Sequence, residues 1–341
     1  MKTDVLIVGS GVAGLYCALN LPSDKKIILV TKNKARRSDS FLAQGGICVL
    51  RDEADYDSFY EDTMKAGHYE NNPDSVHIMI HSSQEVISDL VSYGVRFEKN
   101  GEEFVYTREG AHSHQRILFH EDETGKEITS HLLETARARE NITIIENYTM
   151  VDLICEGNEC RGIIGHDENG EYSSIQADYT VLATGGIGRV YDYTTNSAIA
   201  TGDGIQFAYN LGAEIKNLSY VQFHPTAFAD KENRECFLVS EAVRGEGAYL
   251  KNCHKERFMH NYDKRLELAP RDVVSHSIIF ESQKTQSTDF YLDISHKDSE
   301  FIKNRFPMIY KNLLDAGFDM TKDLIPIFPC HHYLMGGIDV N

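Results

Sequence analysis

Basic charge is scarce in this sequence: 34 lysines and arginines stand against 52 aspartates and glutamates, a formal net charge of −18 at pH 7. No basic patch offsets the excess, so a phosphate backbone or an anionic membrane surface would be repelled, which excludes nucleic-acid and membrane partners. The seven cysteines (Cys17, Cys48, Cys155, Cys160, Cys236, Cys253 and Cys330) are odd in number and irregular in spacing, and none forms a C-x-x-C pair. That excludes a zinc knuckle, a thioredoxin motif and a disulfide framework, and it points to reduced thiols in a cytoplasmic protein. Long apolar runs are missing as well. Val5 to Ser23 carries no charge, but Asp4 precedes it and Gly9, Gly11 and Gly14 interrupt it. It reads as strand, turn and helix rather than as a signal peptide or membrane span. The His331–His332 pair lacks a third ligand at useful spacing, and His112 and His114 alternate as in a strand or loop, so no metal is expected. Repeats, flexible linkers, a Ser-His-Asp arrangement and a P-loop lysine are also absent.

What is present has an α/β rhythm over 341 residues, a length that suggests two domains. Asp4 to Val8 is a short run of β-branched type, the mark of a buried parallel strand. A glycine loop follows, then an apolar helical stretch from Leu15 to Leu21 stopped by Pro22 and Ser23, then a second strand over Ile27–Thr31. Residues 3–31 thus form one βαβ unit. Residues 56–93 are mainly helical, Ile128–Ala138 predicts another helix and Ile142–Ile145 another strand. Val151–Cys155, Arg161–Gly165 and Tyr172–Ile175, separated by Glu-Gly-Asn and Glu-Asn-Gly turns, predict a small antiparallel meander, and a separate buried strand follows from Asp178. Beyond about Leu218 the alternation stops, and a mixed region rich in Arg, His and Glu runs to about His332.

Gly9-Ser10-Gly11-Val12-Ala13-Gly14 is a G-x-G-x-x-G between strand and helix, which lets backbone approach a pyrophosphate at the positive helix N-terminus. The residue ending the second strand, usually an acid that binds ribose, is Lys32. In Ser38-Asp39-Ser40-Phe41-Leu42-Ala43-Gln44-Gly45-Gly46 the small residues can lie flat against a ring or pyrophosphate, and Gln44 supplies an amide. Ala183-Thr-Gly-Gly186 closes a strand, and Thr201-Gly-Asp203-Gly opens a helix.

With Phe223-His224-Pro-Thr226, Glu241-Ala-Val-Arg244-Gly-Glu-Gly and Ala269-Pro-Arg271-Asp272, these segments resemble the fumarate reductase/succinate dehydrogenase flavoprotein superfamily. The resemblance implies a Rossmann-like FAD-binding domain over 1–217, an inserted α+β capping domain over 218–332 and a return to the FAD-binding domain over 333–341. It places Ser10 to Ala13 on pyrophosphate, Lys32 near ribose, Asp39 to Gly46 along the flavin, Asp203 late in the site, and the backbone at Thr149 and Met150 near adenine. Asp39 stands where covalent members carry the histidine that links the flavin, so noncovalent FAD is implied. Thr107-Arg-Glu109-Gly-Ala-His-Ser-His114 resembles the aspartate-oxidising branch, as do Leu292–His296 and Arg305–Tyr310. A carboxylate at Glu109 favours an α-ammonium over a plain dicarboxylate.

The resemblance therefore implies oxidation of L-aspartate to iminoaspartate, with oxygen or fumarate as acceptor and quinolinate synthase consuming the imine on the way to NAD. Arg271 would exchange the proton, with Glu241 and Arg244 relaying it, while His224, Ser240 and His332 would bind carboxylates. A soluble fumarate reductase or succinate dehydrogenase flavoprotein stays open. So does an inactive fragment, because full-length members continue beyond Gly336-Gly-Ile-Asp-Val340 into a second flavin-binding stretch.

Overall fold

The computed structural model describes residues 1–230 and 232–340. Apart from two-residue ladders and short 3-10 turns, the first half of the chain runs β1 (Lys2–Val8), α1 (Val12–Asn20), β2 (Ile27–Thr31), α2 (Asp39–Leu42), α3 (Tyr56–Ala66), α4 (Pro73–Ser92) and α5 (Thr124–Ala138). Then follow β3 (Ile142–Glu146), β4 (Thr149–Glu156), β5 (Glu159–His166), β6 (Tyr172–Leu182) and α6 (Asp203–Asn210). The remainder is β7 (Val221–Phe228), α7 (Glu241–Gly245), β8 (Tyr249–Lys251), α8 (Arg271–Thr285), β9 (Phe290–Asp293), α9 (Ser299–Arg305), α10 (Pro307–Asp315) and β10 (Ile325–Leu334). Among the described residues no helix is long and apolar enough to cross a membrane.

Contacts group the chain into two compact units, Met1–Ala43 with Gly125–Gln222 and His331–Asn341, and Gln44–Thr124 with Phe223–Cys330. The first is built on a six-stranded sheet of order β3-β2-β1-β6-β5-β4. β1 pairs in parallel with β2 (Val5 opposite Ile27) and with β6 (Leu6 opposite Thr180), and β2 in parallel with β3. Leu6, Val8, Val30, Ile163 and Ile175 form its core. Strands buried on both faces read as unbroken Val/Ile/Leu runs, which is why β1 and β2 stand out in the sequence. The meander is present as β4, β5 and β6, but its third strand and the expected buried strand from Asp178 are a single element. β6 pairs with β5 through Tyr172–Gln176 and with β1 from Gln176 to Leu182. Ile175 and Ala177, two residues apart, stay on one buried face and carry the strand through.

The second unit has a four-stranded sheet of order β7-β10-β9-β8. Its core includes Val239, Leu250, Phe258, Met259, Phe306 and Ile309, while Phe59, Met64, Val76 and Ile80 form a smaller cluster at α3 and α4. Residues 44–124 belong here, not with the nucleotide-binding part as the expected boundaries had it. Polar contacts link the two segments. Asp122 accepts from Met308 N (3.0 Å) and Ile309 N (2.6 Å) at the start of α10, and Arg305 Nη1 donates to Glu121 O at 2.8 Å. Partners so far apart in sequence leave no local signature.

Candidate active site

In the first unit, β1 delivers the chain to Gly9, whose φ of +120° suits glycine. A Cβ at Gly9 would lie 2.0 Å from Ala183 O, and one at Gly14 would lie 2.1 Å from Gly9 O. Both glycines therefore seat the loop. Gly11 differs: a Cβ there would meet little besides Ser40 Oγ at 3.1 Å. Gly11 caps α1 without any side chain, no acid lies in the first turn, and Val12 and Ala13 are exposed. That leaves a positive helix end open to an anion. Ser10 Oγ is turned inward, donating to Ala35 O at 3.0 Å, so only its backbone faces the loop. Ser40 Oγ accepts from Val12 N at 3.0 Å, and Ser38 caps α2 by accepting from Phe41 N. Asp39 accepts from Ser197 N at 2.7 Å. Leu42 and Ala43 are exposed and Phe41 is half-buried.

Lys32 and Asp203 come together. Lys32 Nζ donates to Asp203 Oδ2 (2.7 Å) and to Thr201 Oγ1 (2.5 Å). A polar cleft beside them is lined by Lys32, Asn147 and Thr149 and by the tip of the β5–β6 hairpin from His166 to Gly170. The Met150 side chain is buried in the core, which leaves its backbone. The A-T-G-G and T-G-D-G segments also meet: Gly202 N donates to Gly186 O, and a Cβ at Gly204 would lie 2.0 Å from Thr184 Oγ1. Gly185 and Gly186 have open space around them. His332 lies in this unit, with Nδ1 2.5 Å from Thr195 Oγ1 and its carbonyl accepting from Asn196 Nδ2.

The second unit holds the acid and base groups. Ser240 caps α7 by accepting from Ala242 N at 3.2 Å, which leaves its own proton available to donate. Glu241 and Arg244 follow on one face of that short helix, with Arg244 Nη2 3.5 Å from Glu241 Oε1. Arg271, the first residue of α8, donates through Nε to Glu241 Oε2 at 2.5 Å and stands 3.9 Å from Glu109 through Nη2. Gly110 N donates to Glu241 Oε1 at 3.1 Å, and a Cβ at Gly110 would sit 2.4 Å from that oxygen. His224 Nδ1 accepts from Thr226 N at 3.2 Å, which puts the ring proton on Nε2. Thr226 Oγ1 donates to Val239 O beside Ser240, so these two segments run together. Of the loop residues nearby, a Cβ at Gly45 would meet Glu109 Oε1 at 3.0 Å, and Gly46 packs on Ile117 and Leu118.

Burial sets the charge states. It pushes the Glu109 carboxyl up, and the neighbouring Glu241 adds to this, bringing it to about 7. Burial also acts on Glu241, but there Arg271 and Arg244 outweigh it and hold the carboxyl below its ordinary range. Burial works against the Arg271 guanidinium too, yet Glu241 and Glu109 raise it overall. The fully buried Arg244 is pushed down, and it donates through Nη1 to Glu267 O (2.6 Å) while Nε and Nη2 form no hydrogen bond. Because the folded value for Glu109 exceeds the ordinary 4.5, its stabilising neutral form is full below about 4.5 and lost as pH rises through about 7. Melting temperatures of the wild type and Glu109→Gln should therefore separate progressively over that window, with the wild type the less stable at the alkaline end.

Three contributors escaped the motif reading. Gly110 supplies an N–H to Glu241, Glu267 anchors Arg244 through its carbonyl, and His112 has a buried Nδ1 without a hydrogen-bond partner. Burial, then Arg116, pushes the His112 imidazole down and keeps it neutral. The crowding of Glu109, Gly110 and His112 in one short run could have flagged Gly110 and His112, but not Glu267. No group of three or more His, Cys, Asp or Glu side chains among the described residues could hold a metal.

A glycine-cradled helix end and the open Gly185–Gly186 turn fit a flavin dinucleotide. They define an FAD-dependent flavoprotein, and residues 4–341 match the FAD binding domain family. The L-aspartate oxidase of Clostridium perfringens is 49% identical over 339 residues, covering 99% of this chain and 76% of that protein. The Vibrio cholerae L-aspartate oxidase is 42% identical, covering 100% and 66%. Among solved structures, Escherichia coli quinol fumarate reductase superposes with a TM-score of 0.94 at 29% identity, covering 99% of this chain and 61% of that one. Mycobacterium smegmatis Sdh1 does so with 0.81 at 29%, covering 100% and 61%. The chain belongs to the FAD-binding flavoproteins and, within them, to the L-aspartate oxidase family. It spans about three quarters of the first of these relatives and about three fifths of the two solved flavoproteins.

Proposed function

We propose that the whole protein oxidises L-aspartate to iminoaspartate with noncovalently bound FAD, passing electrons to oxygen or fumarate. The observation that carries this reading is Glu109. It is a carboxylate with little exposure, beside Arg271 and 3.0 Å from the Cβ position of Gly45 in the expected flavin loop. Bound FAD would supply the acceptor for the hydride equivalent leaving Cα. The chain's own residues do the rest. His224 Nε2 and the Ser240 hydroxyl donate to substrate carboxylate and hold the dianion in place. Glu109 faces the α-ammonium. Arg271 takes the departing proton, and because its guanidinium is a poor base, Glu241 and Arg244 relay that proton outward. Ser10 to Ala13 present backbone to the pyrophosphate, and Lys32, Asp203, Thr149 and Met150 lie along the adenosine end. Asp39, committed to Ser197 N, holds the loop without a covalent link to the flavin. Iminoaspartate hydrolyses readily, so hand-off to quinolinate synthase in the cytoplasm, as a first step toward NAD, completes the proposal.

Glu109→Gln tests it. The variant loses the charge that pairs with the ammonium, and such a loss costs about 2 kcal/mol or more, roughly 30-fold. Aspartate kcat/KM should drop by at least that, while fumarate reduction stays within a few fold. In the wild type the aspartate KM should rise as pH falls through about 7, and the variant should lose that limb. Unchanged aspartate kinetics in the variant would remove the assignment.

A further inference from the structure

Two cysteines outside the site face each other across the β4–β5 hairpin. Glu156 pairs with Glu159 around a two-residue loop, Gly157-Asn158, and Cys155 pairs with Cys160 one step further along. Gly157 has φ +62° at the first central position, as a tight two-residue hairpin turn requires. The residues flanking such a loop exchange the ladder hydrogen bonds. Cys155 and Cys160 therefore occupy the next, closely spaced position, where opposing Cα atoms approach to about 4.5 Å. That separation lies within the window of roughly 4.4–6.8 Å that a disulfide spans. Cys155 and Cys160 are directly opposite in the ladder, so their side chains share a face. Cys155 is exposed, whereas Cys160 is half-buried with Sγ 3.7 Å from Gly162 O. The ladder is irregular between Ile154 and Cys155, which gives the strands room to adjust. Cys236 and Cys330 also lie in one cluster, but both are buried.

We infer that Cys155 and Cys160 form a thiol–disulfide couple on the nucleotide-binding unit, oxidised by a peroxide. The Cys155 sulfur attacks one peroxide oxygen, an S–O bond forms, the O–O bond breaks, and one water leaves with a thiol proton. The Cys160 sulfur then displaces the sulfenic oxygen, which departs as the second water with the other thiol proton. Two thiols are oxidised by two electrons and one hydrogen peroxide is reduced to two waters. A disulfide closing so short and exposed a ring belongs to the reducible class, so a dithiol should reverse it.

The test adds hydrogen peroxide to the FAD-loaded protein, so its outcome does not depend on the aspartate reading. Both cysteines fall in one tryptic peptide, residues 140–161, because no lysine or arginine lies between Arg139 and Arg161. That peptide should become about 2 Da lighter, two thiols should be lost to alkylation, and dithiothreitol should restore both. In Cys160→Ser the mass loss should vanish, and Cys155 should instead be trapped by dimedone as a sulfenic acid. Cys236 and Cys330 should stay alkylatable after unfolding. Cys155 passing to sulfinic acid without a crosslink in the wild type would overturn the inference. So would disulfide-linked dimers on a nonreducing gel, or an unchanged peptide under peroxide that oxidises other cysteines.

Discussion

Arg271→Leu should slow aspartate oxidation by about 10²- to 10⁴-fold, the range that follows loss of a positioned proton carrier. Arg271 is the residue through which Glu109 and Glu241 are joined, at 3.9 Å and 2.5 Å. It also keeps 27% of its side chain exposed, whereas Arg244 has none, so it is the guanidinium of the pair that a substrate can reach. Without it, two carboxylates with little exposure stand side by side with Arg244, and more weakly Arg305, left to balance them. Both should bind protons more readily, and Glu109 would then be neutral at pH 7, where it has to meet an ammonium. Breaking a buried pair costs about 3–5 kcal/mol, and the partial exposure of Arg271 lowers that figure. Arg271→Lys separates the two effects. A lysine restores the charge and most of the stability, but its single ammonium lacks the planar fork that reaches both carboxylates. The lysine variant should melt near the wild type and still turn over slowly. Anaerobic bleaching of the flavin band near about 450 nm by L-aspartate, read beside thermal melting, decides the matter. Full recovery of bleaching in the lysine variant would show that charge alone matters and would remove the proton-carrier role.

The parts of the molecule legible in sequence were those whose cause is local. β1, α1 and β2 declare themselves because a strand buried on both faces must be apolar throughout, and because a turn with φ +120° at Gly9 needs glycine. The pairing of Glu241 with Arg244 was legible because three residues on a helix share a face. The helices of residues 56–93 and the β4–β5–β6 meander followed from periodicity and turn residues. What stayed hidden depends on partners distant in the chain. Nothing near Asp122 announces that it accepts from Met308 N and Ile309 N at the start of α10, and the grouping of 44–124 with 223–330 differs from the expected boundary at 218. That the Ser10 hydroxyl turns inward to Ala35 O, leaving only backbone toward the loop, was likewise not legible. Gly110 and His112 could not be ranked from spacing, because their importance comes from Glu241 and from burial.

Gly9→Ala and Gly11→Ala should part company, although the motif treats the two glycines alike. A Cβ at Gly9 would fall 2.0 Å from a backbone oxygen, Ala183 O, just past the end of β6, and no rotamer can relieve a backbone clash. The φ of +120° adds strain that alanine cannot relax. Overpacking and strain together cost on the order of 2–5 kcal/mol, a large share of a typical domain's stability. The Gly9→Ala protein should therefore melt well below the wild type, be purified colourless, and remain less stable than the wild-type apoprotein even when no flavin is added. Gly11 has room by comparison, since its nearest neighbour is the Ser40 hydroxyl at 3.1 Å, a side chain able to turn away. Its new methyl would instead stand at the open start of α1, where a dinucleotide's phosphates must come close to backbone N–H groups. Gly11→Ala should keep the apoprotein's melting temperature within a degree or two while weakening FAD binding by at least about tenfold, a penalty of ~1.4 kcal/mol. Titration of apoprotein with FAD, followed by flavin fluorescence, gives the affinity, and differential scanning of the same apoproteins gives the stability. If Gly11→Ala retained FAD as tightly as the wild type, the phosphates could not lie against this helix end. If it lost apoprotein stability as severely as Gly9→Ala, its conformation would matter more than its surface.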